Sequence, residues 1–307
     1  MTPDEAYAAL KNHPDLPSPQ GVAIEIMRLA RSGHCSLVDL ARVVETDPAI
    51  SSRILRLVNS SAFPHPRPIV SLTEAIAYLG TRMVETVALG FSLITARGRC
   101  EAFDYVGFWS RSLARAITGC RIAQEFAPYP PDEVFTLGLL AELGQLVFAA
   151  THPDRYGTLI ASLSCSEAEQ AELEREWFGI DHDELTARLM QDWGFPTMIC
   201  QAIGLRSRLE HGPVSFQEDP GRLAGVLALA SELACRIARP SPEDEGLPRA
   251  VELACRLGMN SGNLAEVLEY AIPRWRELVS IFSVDELNAE QIRALCAEAA
   301  QLRAALS

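Results

Sequence analysis

The stretch Ser36–Ser60 reads SLVDLARVVETDPAISSRILRLVNS, and it decides the fold class. Leu37, Leu40, Val43 and Val44 fall on one helical face, and Ile50, Ile54, Leu57 and Val58 fall on another. Between them Thr46-Asp47-Pro48 combines a capping side chain with a proline at the first helical position. The segment therefore predicts two short helices joined by a tight turn. Two readings fit that outline. One is an αα-hairpin inside a larger helical domain. The other is a helix-turn-helix, with Arg42, Arg53 and Arg56 as DNA-contact candidates.

Outward from this segment the same period continues, and no run of alternating apolar and polar residues interrupts it. Helices are expected at Pro3–Lys11, Pro19–Ser32, Leu37–Glu45, Pro48–Ser60, Leu72–Leu79, Arg82–Ala96, Tyr105–Phe126 and Asp132–Ala149. They continue at Pro153–Ser162, Glu167–Phe178, His182–Trp193, Pro196–Leu209, Gly221–Arg239, Leu247–Leu257, Leu264–Phe282 and Asn288–Leu306. Ser71 with Glu74, Ser166 with Glu169 and Ser283 with Glu286 have capping-box spacing. Pro273 is expected to kink or split its helix. The proline-rich Phe63–Pro68 cannot be helical, Gly98–Phe103 is a candidate subdomain boundary, and Arg239–Pro248 is an acidic loop. The architecture expected is all-α, with an N-terminal helical subdomain over residues 1–97 and a second over 98–307.

Composition narrows the function. In 307 residues, 27 Lys and Arg stand against 40 Asp and Glu, a net charge of −13. Such a surface repels phosphate backbones, so nucleic acid is an unlikely partner. No two of the eight cysteines form a C-x-x-C pair, which points to buried thiols in a reducing cytosol. The acidic start Met1-Thr2-Pro3-Asp4-Glu5 lacks a basic signal region, and Val134–Ala150 is too short and too interrupted for a membrane span. A cytoplasmic protein is expected.

No phosphate loop or nucleophile elbow occurs. His34-Cys35 sits in a turn and is incidental. The six histidines show no i, i+3 or i+4 pairing. Asp181-His182-Asp183-Glu184 is the one local cluster, and a helix start explains its acids: Asp181 caps, while Asp183 and Glu184 favour the positive end of the dipole. Glu142 is the most informative residue. It lies in Leu139-Leu140-Ala141-Glu142-Leu143, where a buried carboxylate needs a neutralising partner.

Several motifs together resemble the HDOD domain, a degenerate relative of the HD-superfamily metal phosphohydrolases. They are LARVVETDPAISSRILRLVNSSAF, SLTEAIAYLGTRMV, Phe108-Trp109-SRSLARA, FTLGLLAELGQLVF and WFGIDHDELTARLMQDWGFP. The resemblance covers about residues 16–209. It implies an N-terminal helical subdomain and an HD-like one. It also locates the vestiges of the metal site. Arg111 stands at the histidine of W-x-H-S, Ala141-Glu142 at the His-Asp pair, and Arg206-Ser207 at a later His-His pair. Only His182 keeps its histidine. One histidine and one lengthened carboxylate are insufficient for an HD-type metal, so no metal and no cofactor are expected.

Arg111 and Glu142 would face one another in the HD arrangement, so a buried ion pair between them is expected. Removing either partner would cost roughly 3–5 kcal/mol. The resemblance implies a bacterial signal-transduction protein acting by contact. Its partners would be response regulators, sensor kinases or cyclic-dinucleotide enzymes supplied in trans. A ligand in the vestigial cleft could gate it. A residual metal-dependent phosphodiesterase using Glu142 and His182 and a DNA-binding regulator are the alternatives. A homo-oligomer is compatible with the sequence, with apolar surface near Phe63 or in the Trp275 helix as the candidate interface.

Overall fold

Asp47 makes the decisive turn. In the computed structural model of the chain, its Oδ1 accepts hydrogen bonds from Ala49 N at 2.9 Å and Ile50 N at 3.1 Å. Ser51 Oγ then donates back to Val44 O at 2.8 Å and ties the two helices together. The structure describes residues 2–17, 21–31, 36–94, 100–162, 167–209, 214–238 and 246–282. Among these residues the secondary structure is sixteen α-helices and one 3₁₀ turn.

Six helices form the N-terminal half: α1 (Pro3–Lys11), α2 (Val22–Arg31), α3 (Leu37–Glu45), α4 (Pro48–Val58), α5 (Leu72–Leu79) and α6 (Thr81–Ile94). Here α3 and α4 pack against α5, and α2 packs on α3 and α6. The rest of the chain is built around α7 (Tyr105–Phe126). It is sandwiched by α8 (Pro131–Leu140), α14 (Gly221–Ala238) and α16 (Ser261–Ile281). The remaining elements are α9 (Leu143–Thr151), α10 (Pro153–Ser162), α11 (Glu167–Phe178), α12 (His182–Asp192), α13 (Thr197–Gly204), the 3₁₀ turn Arg206–Arg208, and α15 (Gly246–Arg256). One apolar core runs through both halves, joined chiefly where α6 meets α8.

Several expectations need correction. The helix over Asp132–Ala149 is broken at Ala141-Glu142, where Glu142 leaves helical geometry at φ −110° and ψ 21°. The resulting stretch Pro131–Thr151 is apolar enough to cross a membrane, but 94% of its most apolar window is buried within the protein as core. The helix over Pro196–Leu209 ends at Gly204 and tightens into the 3₁₀ turn. Pro273 does not split α16. Glu74 N bonds Ser71 Oγ as expected, yet the Glu74 carboxylate pairs with Arg67 at 2.6 Å instead of closing the capping box.

Phe63 is half-buried and packs edge-on against Phe135, and Trp275 is buried with its indole N–H donating to Ser110 O at 3.0 Å. The Ser18-Pro19 cap, His34-Cys35, both other capping boxes, most of the acidic loop and the Asn288–Leu306 helix lie outside the described residues. So do positions 95–99, beside the expected subdomain boundary.

Candidate functional site: a buried ion cluster

The break at Glu142 turns its carboxylate into the centre of the second half. Arg115, one helical turn beyond Arg111 on α7, lies directly against it as an ion pair. Arg115 is 1% exposed. Its Nε donates to Gly138 O at 2.7 Å and its Nη2 to Ser112 Oγ at 3.2 Å. Gly138 permits this approach, because a Cβ there would lie 2.7 Å from Ala116 Cα. Arg206 approaches from the 3₁₀ turn. Its Nη2 donates to Glu142 Oε1 at 3.3 Å and to Ser231 Oγ at 3.1 Å, and its Nη1 donates to Ala141 O at 3.2 Å. The same Nη1 lies 3.2 Å from Asp183 Oδ1.

The cluster continues through α12. His182 Nδ1 meets Glu174 Oε2 at 2.6 Å, and its Nε2 lies 3.6 Å from Asp183 Oδ1. Glu174 is fully buried, and its other oxygen accepts from Tyr156 Oη at 3.1 Å and Gln170 Nε2 at 2.9 Å. Gly144 brings α9 against the start of α12. A Cβ there would meet His182 O at 2.2 Å, and Gly144 N donates to Thr186 Oγ1 at 2.8 Å. Asp181 caps α12 as expected, accepting from Glu184 N at 2.7 Å. Its second oxygen accepts from Arg175 Nε at 2.7 Å and from Ser207 Oγ at 3.3 Å.

The electrostatics close on themselves. Burial alone would push the Glu142 carboxyl up, but the Arg115 guanidinium, then Arg206, outweigh it and hold it at about 2. Burial alone would push the His182 imidazole down, but the Glu174 carboxylate, then Asp183, raise it to about 10. Three buried cations, Arg115, Arg206 and His182, therefore face the buried carboxylates Glu142, Glu174 and Asp183, and the partly exposed Arg175 neutralises the fourth buried carboxylate, Asp181.

Most expected site residues thus converge, with one correction. Arg111 is half-buried and adds only a more distant positive charge to Glu142; the direct partner is Arg115. Ala141 contributes its carbonyl, and Ser207 faces Asp181. Asp183 is more than a dipole partner, since it is 2% exposed and faces Arg206. Arg115, Glu174 and Tyr156 escaped the sequence reading. The i+4 relation of Arg115 to Arg111 was the only signal for the first.

The residues do not fit an HD-type metal. Guanidinium groups occupy the carboxylates of Glu142 and Asp183, which would otherwise be the anionic ligands. Among the described residues no three His, Cys, Asp or Glu side chains converge as a ligand set. The DNA-contact candidates lie apart from this cluster. Arg42 is exposed on α3, 3.7 Å from Asp39; on α4, Arg56 is exposed and Arg53 half-buried.

Comparison with known proteins places this geometry. The HDOD domain model matches residues 16–208. The MmoQ response regulator of Methylococcus capsulatus is 36% identical, with a TM-score of 0.50, covering 80% of this chain and 94% of that one. A protein of Shewanella amazonensis described as a "Putative phosphohydrolase" is 22% identical at a TM-score of 0.67, covering 89% and 97%, a likeness of fold alone. An uncharacterized protein of Treponema pallidum is 23% identical over 215 residues, 66% of this chain. The chain spans 40% of that relative's length.

Proposed function

The chain belongs to the HDOD domain family, and from that membership we propose that it is a non-catalytic signal-transduction protein acting by protein–protein contact in the cytoplasm. The observation that carries this reading is the neutral ion cluster around Glu142. Metal-assisted hydrolysis needs a cation with open coordination positions to activate water. Here the carboxylates at that place are taken by Arg115, Arg206 and His182.

The likeness to a response regulator supports a signalling context. The partners proposed are response regulators, sensor kinases or cyclic-dinucleotide enzymes acting in trans. Nucleic acid is not proposed, because the net charge of −13 opposes it.

The test is elemental analysis of protein purified without an affinity tag, together with hydrolysis of bis(p-nitrophenyl) phosphate in added manganese. The expected result is substoichiometric metal and no turnover above background. Stoichiometric metal with turnover abolished by Glu142→Gln would overturn the reading and restore the phosphodiesterase alternative. Capture with purified response regulators then tests the partner class.

A further inference from the structure

Helix α1 belongs to the N-terminal half in sequence, yet it packs on α12 of the second half. Little apolar surface holds it there, since only Ala6 and Leu10 of its nine residues are buried. The rest of the contact is polar. Tyr7 Oη donates to Asp192 Oδ2 at 2.6 Å, and Lys11 pairs with the same carboxylate. Arg188 Nη1 bonds Asp4 at 2.6 Å, and its guanidinium lies 5.6 Å from the Tyr7 ring centroid. These pairs reach solvent, so each adds little, and α1 is a weakly held segment.

Just past α1 the contact ends on two imidazoles. His13 N donates to Leu10 O at 3.1 Å, which ties this residue to the last turn of α1. Its ring centroid lies 5.6 Å from that of His152, at the end of α9. Thr151 Oγ1 gives its proton to Val147 O at 2.8 Å, so at 2.9 Å it accepts from His152 Nδ1 and leaves Nε2 of the neutral ring bare. Asp15 N donates to His13 Nδ1 at 3.2 Å, so the proton of that neutral ring sits on Nε2. Two neutral rings fit side by side. A charged His152 ring does not: the charges that bear on it are His13 and Arg155 of α10, and α11 presents Phe178 edge-on at 5.5 Å. The neighbouring acids Asp15 and Asp154 are exposed. The last carbonyls of α9 favour a cation, but burial, then His13, then Arg155 hold the His152 imidazole below its ordinary 6.5.

We infer that α1 is a releasable arm, docked on α12 while His152 is neutral and undocked when that ring takes a proton. The sign follows from linkage. A histidine held below 6.5 in the docked form supports docking fully above that value, and the support is lost as pH falls through it. Mild acid thus separates the first helix from the second half of the molecule. Neither ring belongs to the ion cluster, so the inference stands or falls independently of the non-catalytic reading.

The test is hydrogen exchange of the full chain at about pH 7.5 and about pH 5.5, read as protection factors so that the intrinsic effect of pH on exchange is removed. Side-chain carboxylates, tyrosine, lysine and arginine keep their charge between these values, so only imidazoles change in this contact. Protection of the α1 amides should fall at least about threefold at the lower pH, while that of α7 holds. His152→Gln keeps a donor and cannot gain the charge, so it should abolish the fall. The half-exposed variant His13→Gln removes the facing imidazole and should shrink the fall, and it offers a readout should the first variant fail to fold. Equal α1 protection at both pH values, an equal fall in α7, or a fall unchanged in either variant would overturn the inference.

Discussion

Replacing Arg115 by methionine is the sharpest test of the ion cluster. The substitution keeps most of the buried volume and removes the charge. Glu142 would be left 3% exposed with Arg206 as its remaining partner, 3.3 Å away and shared with Asp183. Gly138 O would lose its donor. Breaking a buried pair from one side costs about 3–5 kcal/mol. Because Arg206 stays, about 3 kcal/mol is expected from the stranded charge, with about 1 kcal/mol more from the carbonyl. A loss near 4 kcal/mol lowers the Tm by about 6 °C in a protein this large.

Urea unfolding followed by circular dichroism reads the change directly. Two further variants sharpen it. Arg115→Met with Glu142→Met leaves Arg206 and His182 against Asp183 and Glu174, a neutral set, and should regain at least about half of the loss. Arg111→Met should cost less than about 1 kcal/mol, as expected for a half-buried charge outside the direct pair. If Arg115→Met stays within about 1 kcal/mol of the parent, or Arg111→Met costs as much, the reasoning fails.

The cluster also sets a pH dependence. His182 stands near 10 against an ordinary value of 6.5, so its contribution is complete below about pH 6.5 and is lost as pH rises through 10. Glu142 stands near 2 against 4.5, so its contribution is complete above about pH 4.5 and is lost as pH falls through 2. Urea midpoints at about pH 6 and about pH 9 should therefore fall on the alkaline side, and His182→Gln should flatten that fall. Gly144→Ala should destabilise by more than about 2 kcal/mol, because the new methyl meets the His182 backbone; thermal melts check this. Asn59→Ala should speed proteolysis between Ser61 and Ile69, since Asn59 bonds Ile69 N at 2.9 Å, Ile69 O at 2.7 Å and His65 Nε2 at 3.1 Å. A digestion rate equal to the parent's would refute that role.

Local signals were legible where they act locally. Asp47, Ser71 and Asp181 each cap the helix that the sequence assigns to them, because capping involves residues two or three apart. Glu142 was recognisable as a buried carboxylate in need of a neutraliser. The neutraliser's identity was not recognisable. Arg111 and Arg115 share a face of α7, and only the depth at which α8 crosses, set by Gly138, selects Arg115. The bend at Ala141-Glu142 was hidden by an unbroken apolar period on both sides. Arg206 turns inward because α13 tightens into a 3₁₀ turn, a change of winding that periodicity does not register. Glu174 is invisible for a related reason: half of α11 is charged, and the fully buried Glu174 carboxylate looks in sequence like exposed neighbours such as Glu172.

The glycine contacts and shared charges have a mechanical consequence. Side chains from α7, α11, α12, the 3₁₀ turn and α14 all neutralise or hydrogen-bond one another. Pulling α7, α11, α12 or the 3₁₀ turn away separates a buried charge from its partner, which costs several kcal/mol, and pulling α14 away takes the Ser231 hydrogen bond from Arg206. These shared charges therefore couple the segments into one block. Its amides should exchange with solvent together, by opening of the whole block, not helix by helix.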